Sequence, residues 1–229
     1  FISLVLNGAP SLESVILLPE EAYTNDELTA SADEGSAEDP NGDEISFAYE
    51  WLKDGIVRLS DTQALPASET AKGDEWTVRA TPGDGRLDGE PAEAVVTILN
   101  TPPEITAASI APSEAVTTAT ELLCSADEYS DLDLEQTPDA EELELSYAWT
   151  KADGTELGAE ATLALTPDTV QPGDALTCTA TVTDSDGEAA SLAVEAAVEN
   201  TDPVVDSVEI TADGYRQGDT LVCSHAASD

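Results

Sequence analysis

Thr177-Cys-Thr-Ala-Thr-Val-Thr-Asp184 reads as one strand with two unlike faces. Cys178, Ala180 and Val182 fall on one side; Thr177, Thr179, Thr181 and Thr183 fall on the other. Side chains alternate across a strand, so this period of two fits an antiparallel strand with one face buried and one solvated. Outward from it, short runs rich in Val, Ile, Leu, Thr and Tyr alternate with Asp, Gly and Pro clusters every 8 to 15 residues. That spacing predicts an all-β chain. Strands are expected near 12–18, 26–32, 44–52, 74–81 and 92–99, then near 105–111, 120–126, 143–150, 161–166, 175–183 and 190–198. The nearest rival to a strand is the Ala- and Glu-rich segment 188–199, which has some helical character. Its place beside Val95-Val-Thr-Ile-Leu99 in an internal repeat argues for strand.

The repeat has several landmarks in one order. Asn7-Gly-Ala-Pro, Asn100-Thr-Pro-Pro and Asn200-Thr-Asp-Pro open three segments, 93 and then 100 residues apart. Each opening is followed by a β-type run and then by a related stretch: NDELTASAD, ATELLCSAD or GDTLVCSHA. Tyr49-Glu-Trp51 pairs with Tyr147-Ala-Trp149, each followed by a Lys and an Asp-Gly turn, Asp54-Gly55 or Asp153-Gly154. Lys72-Gly-Asp74 pairs with Pro172-Gly-Asp174. A period near 100 is one domain long, not the 20 to 50 residues of a solenoid. The expected organisation is therefore 1–7 as the last strand of a preceding repeat, 8–100 and 101–200 as repeats, and 201–229 as the first strands of a truncated third.

Composition narrows the function classes. The chain has 229 residues, with 49 acidic and 7 basic side chains and a formal net charge of -42. Nucleic acid is excluded as a partner, because phosphate recognition needs a basic footprint. Polybasic docking on anionic lipid is excluded too, and no apolar run approaches the 18 residues of a membrane span. The charge is spread over every segment, at -16 for 8–100, -21 for 101–200 and -5 for 201–229, so it is not an acidic tail. Such density repels itself at low salt and suits a saline medium or bound cations.

The Tyr-x-Trp motifs, Asn100-Thr-Pro-Pro103, the Thr24–Ala32 stretch, Lys72–Gly85 and Val95–Pro103 together resemble tandem Ig-like or PKD-like repeats of bacterial cell-surface and secreted proteins. The resemblance covers nearly the whole chain. It implies tandem Ig-like antiparallel β-sandwiches, with Trp51, Trp149 and Trp76 in their cores. It departs from a PKD unit at Trp51-Leu-Lys-Asp-Gly55, and Leu176 stands where an Ig tyrosine corner would be. An Ig-type sandwich carries Cys, Trp and Cys on its second, third and penultimate strands, the order of Cys124, Trp149 and Cys178. The resemblance thus implies a Cys124–Cys178 disulfide, with Cys223 paired beyond Asp229. Ala30 and Val78 replace the pair in the first repeat. Three unrelated buried thiols are the alternative, since free Cys packs as a small hydrophobe. A disulfide points to an oxidising compartment.

Catalysis finds little to stand on. His225 is the single histidine and lies in a β-type run, where a strand residue is the plain reading. The acid clusters are more informative. Asp33, Glu34, Glu38, Asp39, Asn41, Asp43 and Glu44 precede one Trp strand, and Asp127, Glu128, Asp131, Asp133, Asp139, Glu141 and Glu142 precede the other. Asp84 and Asp88, and Asp184 and Asp186, follow the penultimate strands. In an Ig-like fold these loops share one end of a sandwich. Hard oxygen ligands gathered there suit Ca2+, with Asp131, Asp133, Asp184, Asp186, Asp39, Asn41, Asp43 and Asp84 as candidate ligands. The competing reading is that Asp, Asn and Gly simply make turns. The sequence therefore predicts a non-catalytic extracellular structural or adhesive array, including the body of a cell-surface filament. The alternatives are a calcium-dependent adhesin with metal-stiffened junctions and the accessory domains of a secreted enzyme. Expected partners are neighbouring repeats of the same array, a homopolymer or a surface ligand, at a bacterial cell surface.

Overall fold

The computed structural model describes residues 6–136, 142–212, 216–218 and 220–228. Phe1–Val5 of the expected leading strand, and Asp139 and Glu141 of the second acidic run, lie outside the described residues. The chain forms two compact units. The first gathers Phe1–Glu104 with Tyr129–Glu144 and Val182–Ala190; the second gathers Ile105–Glu128, Leu145–Thr181 and Ser191–Asp229.

The first ten strands are β1 (Ser11–Leu12), β2 (Val15–Leu18), β3 (Ala22–Tyr23), β4 (Leu28–Ala32), β5 (Ala37–Glu38), β6 (Ser46–Lys53), β7 (Ile56–Ser60), β8 (Ala64–Leu65), β9 (Glu75–Gly83) and β10 (Ala92–Leu99). A five-stranded sheet in the order β3-β10-β9-β6-β7 packs on a three-stranded sheet β2-β4-β8, and β1 pairs with β5. Only the two-residue β10–β3 ladder is parallel among these pairings. The alternation in β9 puts Trp76, Val78 and Ala80 inside. They meet Trp51 and Tyr49 of β6, and Leu28, Ala30 and Ala32 of β4. Two buried aromatics keep a polar handle satisfied. The Tyr49 hydroxyl accepts the Ala32 backbone N–H from the opposite sheet at 2.8 Å, and the Trp51 indole donates to the Thr62 carbonyl at 3.1 Å. Asp54 and Gly55 turn the β6–β7 hairpin with φ of 52° and 75°, the left-handed pair that a two-residue hairpin of this kind requires.

Downstream lie β11 (Glu104–Ala111), β12 (Glu121–Ser130), the one-turn helix α1 (Leu132–Gln136), β13 (Glu144–Lys151), β14 (Glu156–Gly158), β15 (Thr162–Ala164), β16 (Ala175–Thr183), β17 (Ala189–Ala197), β18 (Val204–Ala212) and β19 (Leu221–Ser228). They make a three-stranded sheet β11-β12-β15, a four-stranded sheet β14-β13-β16-β17 and a separate hairpin β18-β19. Leu176, Cys178, Ala180 and Val182 of β16 are buried and the intervening threonines are half-exposed. A disulfide joins Cys124 of β12 to Cys178 of β16 across the two sheets, with Cα atoms 6.4 Å apart and a sequence separation of 54. Trp149 is fully buried, and its indole donates to the Glu160 carbonyl at 3.0 Å, the counterpart of the Trp51 bond.

The fold is all-β, with tandem Ig-like sandwiches, and residues 189–197 are strand rather than helix. Local differences from the sequence reading have simple causes. The expected strand 12–18 is broken at Glu13 and Ser14 because its halves pair with different partners, β5 and β4. Ser14 meanwhile commits its backbone to the next loop, its carbonyl accepting from Asp33 and its N–H bonding the Ser36 hydroxyl. The unexpected strands β3, β5, β7, β8 and β14 are short, and β7 is mostly exposed, so no strong alternation marks them.

Candidate functional site

The acidic loops contain the same polar device twice. Asp84 opens the turn after β9. One carboxylate oxygen accepts the N–H groups of Arg86 and Leu87 at 2.7 and 2.8 Å; the other accepts the Asn7 amide at 2.6 Å. Asp184 opens the turn after β16 in the same way. Its Oδ1 accepts from the N–H groups of Asp186 and Glu188 at 3.0 and 2.8 Å, and its Oδ2 from the Asn100 amide at 2.8 Å. The residue after each asparagine is held as well. The Gly8 N–H donates to Asn41 Oδ1 at 2.7 Å, and the Thr101 N–H donates to Asp133 Oδ2 at 2.8 Å. The accepting loops are themselves shaped alike, since Asp39 accepts the Asn41 N–H and Asp131 accepts the Asp133 N–H, both at 2.7 Å. Short side chains that bond the backbone two residues on are the ordinary means of fixing a turn. Here the fixed turns converge on the segment entering each repeat.

The two latches differ in charge and burial. At the first, Arg86 approaches Asn7 Oδ1 at 3.4 Å and Asp43 at 3.8 Å, and Asp43 also donates its N–H to Asp39. Bonds from the Leu87 N–H, then the Asn7 amide and the Arg86 N–H, hold the Asp84 carboxyl below its ordinary range. At the second, Asp131, Asp133 and Asp184 are all buried. Asp133 also accepts the Thr24 hydroxyl, and the exposed Asp186 pairs with Lys72. Arg86 has Asp186 as its counterpart there, so Asn100 Oδ1 has no such cation; among the described residues this buried atom has no hydrogen-bond partner, and neither has Asp39 Oδ2. An unmet buried acceptor costs about 1–3 kcal/mol.

As for metal binding, the candidate ligands Asp39, Asn41, Asp84, Asp131, Asp133 and Asp184 do gather at the two latches, with Asp43 and Asp186 at their exposed rims. The six at the latches hold backbone or amide N–H groups with their side-chain oxygens. Among the described residues no group of three or more His, Cys, Asp or Glu side chains is arranged to hold a metal ion. Cys223 is an exposed thiol and His225 an exposed strand residue, both on β19.

A further repeated pair was not singled out from sequence. Lys53 bonds Asp74 at 2.7 Å and Lys151 bonds Asp174 at 2.9 Å. Lys53 also lies 5.8 Å from the centroid of the Trp76 ring. The signal was present: a Lys follows each Tyr-x-Trp by two, and an Asp ends each Gly-Asp turn. The Lys151 ammonium, followed by the Gln171 N–H, keeps the Asp174 carboxyl below its ordinary range.

These features define an all-β protein of tandem Ig-like sandwiches with hydrogen-bonded acidic loops. No protein-family model matches the chain. No curated protein matches it either. It is similar in fold to the chicken interferon gamma receptor alpha chain, at 10% identity over 84% of this chain and 99% of that one, with a TM-score of 0.43. A two-domain fibronectin type III segment of chicken tenascin matches at 10% identity, with the same coverage and a TM-score of 0.39. Three N-terminal domains of the highly immunogenic outer capsid protein of bacteriophage RB49 match at 16% identity over 95% of this chain and 70% of that one, with a TM-score of 0.33.

Proposed function

We propose that this chain is a non-catalytic extracellular repeat module of structural or adhesive kind, part of a bacterial cell-surface array or filament. The observation that carries the reading is what recurs. The Asn–Asp latch, the Trp indole bond and the Lys–Asp pair each occur twice at equivalent positions. All of them hold loops and strands in place. A repeated scaffold with a cross-sheet disulfide suits an oxidising exterior. Its dense negative charge keeps neighbouring copies soluble and opposes edge-to-edge pairing of open sheets until cations screen it. Neighbouring repeats and a surface ligand remain the partners of choice; nucleic acid is not among them. The test is protease treatment of intact source cells. Release of peptides from this chain without lysis supports the reading; recovery only after lysis, or a hydrolytic activity that copurifies with the chain itself, overturns it.

Calcium binding is a second reading, favoured by the buried, unpartnered Asn100 Oδ1 beside the Asp184 carboxylate. An oxygen-rich pocket with an unmet acceptor offers a hard cation a place. A ligand bound only by the folded state raises its melting temperature by mass action. Melts in millimolar Ca2+ and in chelator, at equal ionic strength, should then differ. Equal midpoints leave the acids as turn-makers and surface charge, the same part they would play in accessory domains of a secreted enzyme.

A further inference from the structure

The outer edge of β10 is covered along only part of its length. On one side β10 pairs with β9 from Ala92 to Thr97. On the other, β3 pairs with Ile98 and Leu99 alone. The chain path explains this: β2 belongs to the three-stranded sheet and β3 to the five-stranded one, so the chain reaches β10 only after crossing between sheets. The Ile98 N–H donates to the Asp74 carbonyl and its own carbonyl accepts from Gly73, both on the β9 side. Backbone direction alternates along a strand, so Val96 and Ala94 also face β9, while Glu93 and Val95 turn their N–H and C=O groups outward. Among the described residues no strand pairs with that side of Glu93 and Val95. The edge of β2 is open in the same way. The Ser14 carbonyl accepts from Asp33, so Ser14 and Ile16 face β4, and Val15 and Leu17 turn away from it.

Between the two edges runs an apolar groove. Val15, Leu17, Ala94 and Val96 line it, with Ile16 and Val95 at its lips, 46% and 58% exposed. The second repeat carries Ser109 and Glu195 at the places of Ile16 and Val95. A charge is a usual guard of an open edge, and the first repeat has an apolar side chain there. The rim is acidic. Residues 8–32 hold five acids and no Lys or Arg, and residues 87–104 hold four acids and no Lys or Arg. Glu20 lines the groove, and the neighbouring Arg79 is committed to Glu50 and Glu93. We propose that the outer edge of β10, from Ala92 to Thr97, takes an extended segment of another protein as an added strand, apolar at every second position and carrying Lys or Arg between. Main-chain bonds to Glu93 and Val95 hold the strand, its apolar side chains cover the groove, and its cations face Glu93 and the acidic rim. A second copy of this chain is the poorer occupant, because each copy carries a net charge of -42. The proposal needs only the edge and its charge, and stands whether or not the repeats serve adhesion.

The probe is a capped, fluorescently labelled peptide of about seven residues that alternates Val and Lys, long enough to span the open stretch at about 3.3 Å per residue. Its binding to the whole chain is read by anisotropy in physiological salt, where charge attraction is screened beyond about 8 Å. It should bind about tenfold tighter than a peptide with the same residues in two blocks, and than one alternating Val and Glu. On binding, amide exchange should slow at Val95 and not at Glu195. Val95→Pro removes one outward donor at an edge position where proline is tolerated, and should weaken binding about tenfold with little change in melting temperature. A second arm leaves the protein untouched: N-methylation of the peptide at its lysines or at its valines should abolish binding in one case and spare it in the other, because only one edge of an added strand faces β10. Equal binding of the blocked peptide would overturn the proposal as bare charge attraction, and equal binding of the Val–Glu peptide would overturn the basic partner. Binding that survives both methylations, or leaves Val95 exchange unchanged, would overturn the added strand. A dimer in sedimentation that Val95→Pro dissolves would overturn it in favour of a second copy.

Discussion

Replacing Cys124 and Cys178 by the pair that the first repeat carries should cost the second unit most of what the bridge supplies. The variant is C124A/C178V, which copies Ala30 and Val78, buried at the same places in the first repeat. Alanine and valine together roughly conserve the core volume, so packing should change little and the loss should lie in the unfolded chain. The bridge closes a loop of 54 residues. In the chain-entropy description a loop of that length stabilises by about 4 kcal/mol. At about 1.4 kcal/mol per factor of ten, that is roughly three powers of ten in an equilibrium constant. The assay is amide hydrogen exchange read by mass spectrometry, with peptides from β13 and β16 compared with peptides from β6 and β9. The slowest amides of β13 and β16 should exchange about a thousandfold faster in the variant, and those of β6 and β9 should be unaffected. Reducing the parent protein should give the same change. A shift below tenfold in β16 would refute the entropic reasoning, as would an equal shift in β9.

Asp133→Ala removes the acceptor of the Thr101 N–H and the Thr24 hydroxyl in a fully buried place, and should lower stability by about 1–3 kcal/mol in urea titrations. Asp133→Asn, which keeps the shape and one acceptor oxygen, should lose less. Asn100→Asp would set a second carboxylate against Asp184, so its destabilisation should exceed that of Asn100→Ala and shrink as salt is raised. Asp84, Asp153 and Asp174 are held below the ordinary carboxyl value of 3.8, chiefly by the Leu87 N–H, the Thr155 N–H and the Lys151 ammonium respectively. Their depressed values favour the folded state fully above that pH, and the contribution is lost as the pH falls through the lower folded values. Melting temperatures should therefore fall in the acid range below 3.8, with a weaker fall in Asp174→Asn.

How much of this was legible in the sequence depends on how far each signal reaches. The long strands announced themselves, because β9 alternates over its first eight residues and β16 over all nine against a buried partner sheet. The strand at 189–197 was decided by its place in the repeat, since its own Ala and Glu content favours helix. The edge strands were not legible. β7 reads Ile-Val-Arg-Leu-Ser with four of its five residues exposed, so no burial constraint shapes its alternation. The break at Glu13–Ser14 was hidden for another reason: it arises from two different pairing partners, and pairing is not written in a local window.

The acidic loops show where residue type is legible and geometry is not. Asp39, Asn41, Asp84, Asp131, Asp133 and Asp184 could be picked out by chemistry, but their bonds to Asn7, Gly8, Asn100 and Thr101 could not. The asparagines served in the sequence only as landmarks. Their side chain explains why the landmark is an amide. The entering residue must donate to a carboxylate, which excludes Asp and Glu in a chain already carrying a charge of -42. It must also tolerate a neighbouring cation, as Asn7 does with Arg86, which argues against Lys or Arg. Asn alone among short side chains offers an N–H donor and a carbonyl acceptor without charge. Where the arginine is replaced by Asp186, the same amide leaves Asn100 Oδ1 unmet, so the second latch keeps a demand for a positive or donating group at the place where Arg86 meets Asn7 in the first.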